Sequence, residues 1–128
     1  LLGVSFGNST VYFDFASNAS YSEGSCYGPW RPRTPGRIKK IWVKAEDGQA
    51  CHGNVLVKVR NRGVGDIAGI SMTIPDGSSS GEATGDAVID GTEELIFSLT
   101  AGVSWSSGDF RCGLLFVPDV LGIPNLIL

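Results

Sequence analysis

The residues able to do chemistry are few, and their spacing argues against most of it. Gly77-Ser78-Ser79-Ser80-Gly81 fits the G-x-S-x-G string of serine hydrolases. That string carries a nucleophile only on a strand-to-helix turn with a histidine base in reach. Here no helix pattern follows it, and His52 is the one histidine of the chain. The carboxylates Glu46/Asp47 and Glu93/Glu94 are sequence neighbours flanking turns. On an extended chain neighbours point apart, whereas acid–base work needs two carboxyl groups facing one cleft. Asp76, Asp86 and Asp90 border loops without the ligand spacing of a calcium loop. Cys26, Cys51 and His52 lack the spacing of a zinc site. No phosphate-binding loop or dinucleotide fingerprint occurs. The expectation is a protein with no catalytic residues, no cofactor and no metal.

Aromatic and cationic residues offer a different chemistry, that of contact. Six of the ten basic residues, Arg31, Arg33, Arg37, Lys39, Lys40 and Lys44, fall in one stretch with Trp30 and Trp42 interleaved. Stacking rings beside cations can hold single-stranded nucleic acid. The net charge of −3 and pI of about 5.0 weigh against that and favour a protein contact or a solvated strand face. Trp105, inside Gly102-Val103-Ser104-Trp105-Ser106-Ser107-Gly108, reads as a ring at a loop tip. It is a candidate ligand platform or interface anchor, unless it folds back on the domain.

The elements that would carry these residues are strands. Val11, Phe13 and Phe15 alternate with polar or amphipathic neighbours, and Ile41 and Val43 alternate with Lys40, Trp42 and Lys44. Val55, Val57 and Val59 oppose Leu56, Lys58 and Arg60. Ile70, Met72 and Ile74 oppose Ser71 and Thr73. Ala87 to Ile89 reads as a short strand, Leu95, Phe97 and Leu99 as another. Phe110, Cys112, Leu114 and Phe116 close the series against Arg111, Gly113 and Leu115. Asp76 to Gly85 and Ala101 to Asp109 read as polar loops. The pattern predicts seven or eight short strands in an all-β antiparallel sandwich.

Three segments follow: 1–35, a strand plus an extended arm rich in Pro, Gly and Ser; 36–117, the sandwich; and 118–128, an apolar tail. Pro29, Pro32 and Pro35 favour extended, unpaired backbone in the arm. In the tail, Ile123, Leu126, Ile127 and Leu128 are candidate contacts, because a chain end is ordinarily polar. This end either adds a strand to its own sheet or docks onto a neighbour.

One hundred and twenty-eight residues with 42% hydrophobic and 18% charged make a single folded domain. No apolar run reaches the roughly 18 residues of a membrane-spanning helix. The start, Leu-Leu-Gly-Val, has neither an initiator Met nor a basic leader. Three cysteines are an odd, sparse set. Cys112 reads as an inert core thiol, and Cys26 and Cys51 could bridge. Asn8-Ser9-Thr10 and Asn18-Ala19-Ser20 match the glycosylation acceptor pattern. Charge is split, with nine of the ten Lys and Arg in residues 1–62 and nine of the thirteen acids in 63–128. Either the halves interleave and cancel, or the subunit is bipolar and meets neighbours through opposite-sign edges.

Five segments together resemble a known family. They are Gly36-Arg37-Ile38-Lys39-Lys40-Ile41-Trp42-Val43, Val55 to Gly63, Ile70 to Gly77, Asp90 to Phe97 and Phe110 to Phe116. Residues 36–117 resemble the jelly-roll domain of tailed-bacteriophage virion proteins of the tail-fibre and capsid-decoration type. The chain departs from that pattern at Asp90-Gly91-Thr92, where Gly-Asp is commoner. The resemblance implies a non-enzymatic virion component, often a homotrimer, that contacts other virion proteins or a host-surface glycan. Trp105, Tyr21 and Tyr27 are then the rings to stack on sugar. Neither nucleic acid nor membrane is an expected partner.

Overall fold

The computed structural model describes residues 3–6, 10–15, 19–45, 48–101 and 105–119, with side chains for all of these except 3–6 and 105–109. Nine strands are described: β1 (Gly3–Phe6), β2 (Thr10–Phe13), β3 (Ala19–Ser20), β4 (Gly36–Ala45), β5 (Val55–Asn61), β6 (Gly65–Ile74), β7 (Ser80–Ile89), β8 (Leu95–Ala101) and β9 (Trp105–Pro118). With β3 only two residues long, eight of the described strands build the fold, within the seven or eight expected, and β1 is the one that the alternation does not announce. No α-helix occurs among the described residues, only a 3-10 turn at Glu23–Ser25.

The strands form two antiparallel sheets, ordered β1-β9-β4-β7 and β3-β2-β8-β5-β6. Only β2–β3 and β5–β6 are neighbours both in sequence and within a sheet; every other consecutive pair crosses to the opposite sheet. Leaving out β3, this is the strand order of a jelly roll, so the β-sandwich of the expected class is present.

Branched and aromatic residues on the inner faces supply the core. Ile38, Ile41 and Val43 of β4 face Val55, Val57 and Val59 of β5, with Leu95, Phe97 and Leu99 of β8 beside them, all buried. Each such side chain contributes about 1.5–3 kcal/mol by leaving water. Phe13 of one sheet meets Phe110 of the other edge to face, ring centroids 6.1 Å apart. A bulge in β4 between Ile38 and Lys40 breaks the alternation. Lys39 and Lys40 thereby both reach acids on β7, Asp86 and Glu82.

Two expected loops are strand instead. Ser80–Gly85 was legible only as flexible polar chain, yet it forms the first half of β7, pairing with Thr84 opposite Lys40 and Gly81 opposite Val43. Its partly buried positions are Gly81, Ala83 and Gly85, too small to register as hydrophobic alternation. Small residues are required there because β6 passes close by: a Cβ on Gly85 would stand 2.5 Å from the Gly69 carbonyl oxygen. Similarly, Trp105 does not sit at a loop tip. It opens β9, opposite Phe6 of β1.

Candidate interaction surfaces

The arm packs on its own subunit. Its extended, proline-spaced backbone makes one isolated bridge, in which Trp30 and Leu95 exchange both main-chain hydrogen bonds at 3.0 and 2.9 Å. The half-buried Trp30 ring lies edge-on to Phe116 at 5.2 Å and near Phe15 at 6.3 Å. Trp30 therefore serves the fold rather than presenting a free face. Buried Asp14 accepts from the Gly28 N–H at 2.9 Å, and the Arg62 guanidinium donates to the Cys26 carbonyl. Glu23 accepts from Arg60 and from the Gly63 N–H. Arg31 and Arg62 converge on Glu94.

These latches have a pH signature. Burial opposes ionisation of Glu23, but hydrogen bonds from Arg60 and Gly63 outweigh it and hold the carboxyl below its ordinary 4.5. Burial likewise opposes ionisation of Asp66, and Arg60 and Lys58 pull it below 3.8. Arg62 and Arg31 lower Glu94. Carboxyls depressed in the folded state stabilise it fully above their unfolded values and lose that contribution as pH falls through the folded ones. Urea midpoints should therefore hold from pH 7 to about 5 and drop below about 4.5. Glu23→Gln should shallow that acid limb while lowering the neutral-pH stability by about 1.5–3 kcal/mol, the worth of a charged hydrogen bond. An acid limb unchanged in the variant would remove Glu23 from the latch.

The basic stretch of β4 is neutralised by the acidic half of the chain. Arg37 and Lys39 pair with Asp86 at 2.7 and 2.8 Å, and Lys40 with Glu82 at 3.1 Å. Lys39 foremost draws Asp86 below its ordinary value. Together with the Glu94 pairs, these bridges show the two charge halves interleaved, not segregated to opposite edges. Arg33 is exposed, with a left-handed φ of 61°.

Of the two tryptophans with described side chains, Trp42 is the one that faces solvent. It is 38% exposed on the outer face of the four-stranded sheet, its indole lying flat over Gly113 of β9, where a Cβ would collide with the ring. Leu115 and Val117 continue the same face of β9 at 53% and 44% exposure, and Val88 of β7 flanks it at 65%. Trp42 over Gly113, then Leu115 and Val117, fall in line as an apolar strip along the outer face of β9, with Lys40 and Arg37 opposite the last two. The signal for it is the outward phase of Leu115 in the β9 alternation; what strand order alone supplies is that β4 sets Trp42 opposite Gly113, two residues before Leu115 on that face.

Other candidates are separated or lie elsewhere. The Trp105 side chain and Ile123, Leu126, Ile127 and Leu128 fall outside the described residues, as do both asparagines of the acceptor patterns and the pair Glu46/Asp47. Tyr21 and Tyr27 are exposed on the arm. The Gly77–Gly81 string forms the turn into a strand, β7. Asp76 accepts from the Gly53 N–H, Asp90 from Thr92, and Asp86 binds Arg37 and Lys39, so the three aspartates are spent at three places. Glu93 is buried and caps the N–H groups of Asp90 and Gly91, each at 2.9 Å. All three thiols are free. Burial, aided by Asp14, pushes Cys26 up to about 11, and burial pushes Cys112 up to about 12, which leaves both protonated and unreactive.

No protein-family model, curated protein or solved structure matches the chain.

Proposed function

We propose that the chain is a non-enzymatic structural subunit that works by docking on further copies of itself through the outer face of the four-stranded sheet. The observation that carries this is the strip Trp42–Leu115–Val117. A sheet face turned to water is ordinarily polar, and a contiguous apolar strip rimmed by charge is the anatomy of an interface. The rim is Arg37 and Lys40, paired within the subunit to Asp86 and Glu82, together with the exposed Lys44. Aromatic anchors at such a centre hold most of the binding energy. The setting, a virion with threefold appendage or decoration assemblies, follows from the family the strand and turn pattern resembles, and the jelly-roll order is compatible with it. The chain leaves β9 at Asp119, whose N–H bonds the Pro35 carbonyl at 2.8 Å.

Sedimentation velocity at micromolar concentration tests the reading. The wild type should sediment as an oligomer, and Leu115→Asp as a monomer with an unchanged unfolding temperature, since residue 115 faces outward. A wild type that is monomeric up to the highest soluble concentration, or a Leu115→Asp variant that assembles normally, overturns it.

A further inference from the structure

The outer face of the five-stranded sheet is tiled with hydroxyl groups in register. One row runs Thr10, Thr100, Leu56, Thr73, and the next Ser20, Tyr12, Ser98, Lys58, Ser71. Ser98 stands between the much larger Tyr12 and Lys58, so the surface dips at that point. The dip is an open depression of about 150 Å³ whose lining includes Thr10, Tyr12, Lys58, Asp66, Ser98 and Thr100.

Ser98 points to a ligand. The residue is 5% exposed, and among the described residues no side-chain hydrogen bond reaches its hydroxyl. Buried hydroxyls are almost always paired, and one left open in a depression is a donor and acceptor awaiting a guest. Thr10 and Thr100 hydrogen-bond each other at 2.7 Å, which still leaves lone pairs on both oxygens. The Arg60 guanidinium sits over the Tyr12 ring, 5.9 Å from its centroid, so that ring offers its phenol oxygen more than its face.

The charge pattern narrows the class of guest. Lys58 and Arg60 are both paired, with Asp66 and Glu23, leaving no cation surplus for a phosphate or a carboxylate. Leu56 is the one aliphatic side chain in the lining, too little for a lipid. What remains is a rim of mixed donors and acceptors with balanced charge, suited to a neutral polyol. Past Lys58 and Asp66 the surface continues into a second depression of about 460 Å³ along Ile67–Ser71 and Thr84.

We propose that this face binds a neutral oligosaccharide, one sugar ring resting over Ser98 and the chain continuing past Lys58 and Asp66 toward the β6 edge. The site lies on the sheet opposite the apolar strip and does not depend on assembly through that strip. It uses hydroxyls on a sheet face, not the exposed Tyr21 and Tyr27 that the sequence offers for stacking.

The test is a chemical-shift titration of the full chain with tri- to hexasaccharides of glucose, galactose, mannose, xylose and N-acetylglucosamine. At least one series should shift the amides of residues 10–12, 58 and 98–100. Ser98→Ala should weaken that binding about tenfold or more while leaving the unfolding temperature equal or higher, because alanine removes a buried polar group that has no partner. Thr100→Val, of the same shape, should weaken it as well. Absence of shifts with every series, shifts confined to another surface, or undiminished affinity in Ser98→Ala overturns the proposal. A lowered unfolding temperature in Ser98→Ala also overturns it, by showing a structural role for the hydroxyl.

Discussion

Phe110→Ala should lower the free energy of unfolding by about 3–5 kcal/mol, the cost of emptying a fully buried aromatic site. Phe110 has no exposed surface, and its ring is the edge-to-face partner of Phe13. The two rings belong to opposite sheets, β9 and β2, so the contact spans the sandwich where loss of packing is least repaired by shifts within one sheet. A domain of this size has about 5–15 kcal/mol in total, which places the variant near the edge of folding at 37 °C. Urea denaturation of Phe110→Leu, Phe13→Leu and the double variant separates the pair from general burial. The coupling should come out at about 0.5–1.5 kcal/mol, the worth of an edge-to-face contact. Strict additivity, or a Phe110→Ala loss below about 1 kcal/mol, would mean the sheets are held together elsewhere.

The strands that sequence made legible are those in which branched residues alternate with polar ones. β4, β5 and β8 announce themselves that way, and in β9 the inward set Phe110, Cys112, Leu114, Phe116 was readable with its outward neighbours. Where the inner position must be small, the same rule fails. Gly81, Ala83 and Gly85 face inward in β7, but their spacing looks like loop because a close approach by β6 forbids larger side chains. The opening of β9 was hidden likewise, since the Gly/Ser-rich stretch around Trp105 shows no hydrophobic alternation, yet Trp105, Ser106 and Asp109 pair with β1.

Surfaces were legible to a different degree. Trp42 could be placed on an outward phase from its own strand. Its company could not, because Leu115 and Val117 come beside it only through the β4–β9 pairing. The hydroxyl face is a stronger case of the same limit. Ser98 is an ordinary serine on β8 until Tyr12 and Lys58 arrive on either side from distant parts of the chain. The expectation of an extended, unpaired arm is corrected by the pairing of Ala19–Ser20 with β2, the 3-10 turn at Glu23–Ser25 and the Trp30–Leu95 bridge, and the contacts that hold the arm rest on side chains far away in sequence, Arg60, Arg62 and Glu94. Charge segregation along the chain becomes pairing between elements: cations of β4, β5 and the turn after it reach acids of β6, β7 and the turn before β8.

Gly85→Val should be nearly as damaging as the loss of Phe110, for the opposite reason. A Cβ there would stand 2.5 Å from the Gly69 carbonyl oxygen and 3.1 Å from two side-chain carbons of Ile70. The nearest obstacle is main chain and cannot rotate away. Gly69 in turn adopts φ of 95°, and a Cβ on it would meet the Asp86 carbonyl at 2.9 Å. The two glycines thus form a seam between edge strands of different sheets, which only residues without side chains can close. Forcing the seam open should cost about 3 kcal/mol, with a fall in unfolding temperature of about 10 °C or more. Gly81→Ala is the graded control, since its nearest neighbour is the Ile74 side chain at 3.2 Å, which can move. Equal unfolding temperatures for the two variants would refute the seam. Because Gly69 and Thr84 also border the larger depression, Gly85→Val should deform the β6 end of the sugar path as well. In a variant still folded at low temperature, affinity should fall for hexasaccharides more than for trisaccharides, whose contacts centre on Ser98.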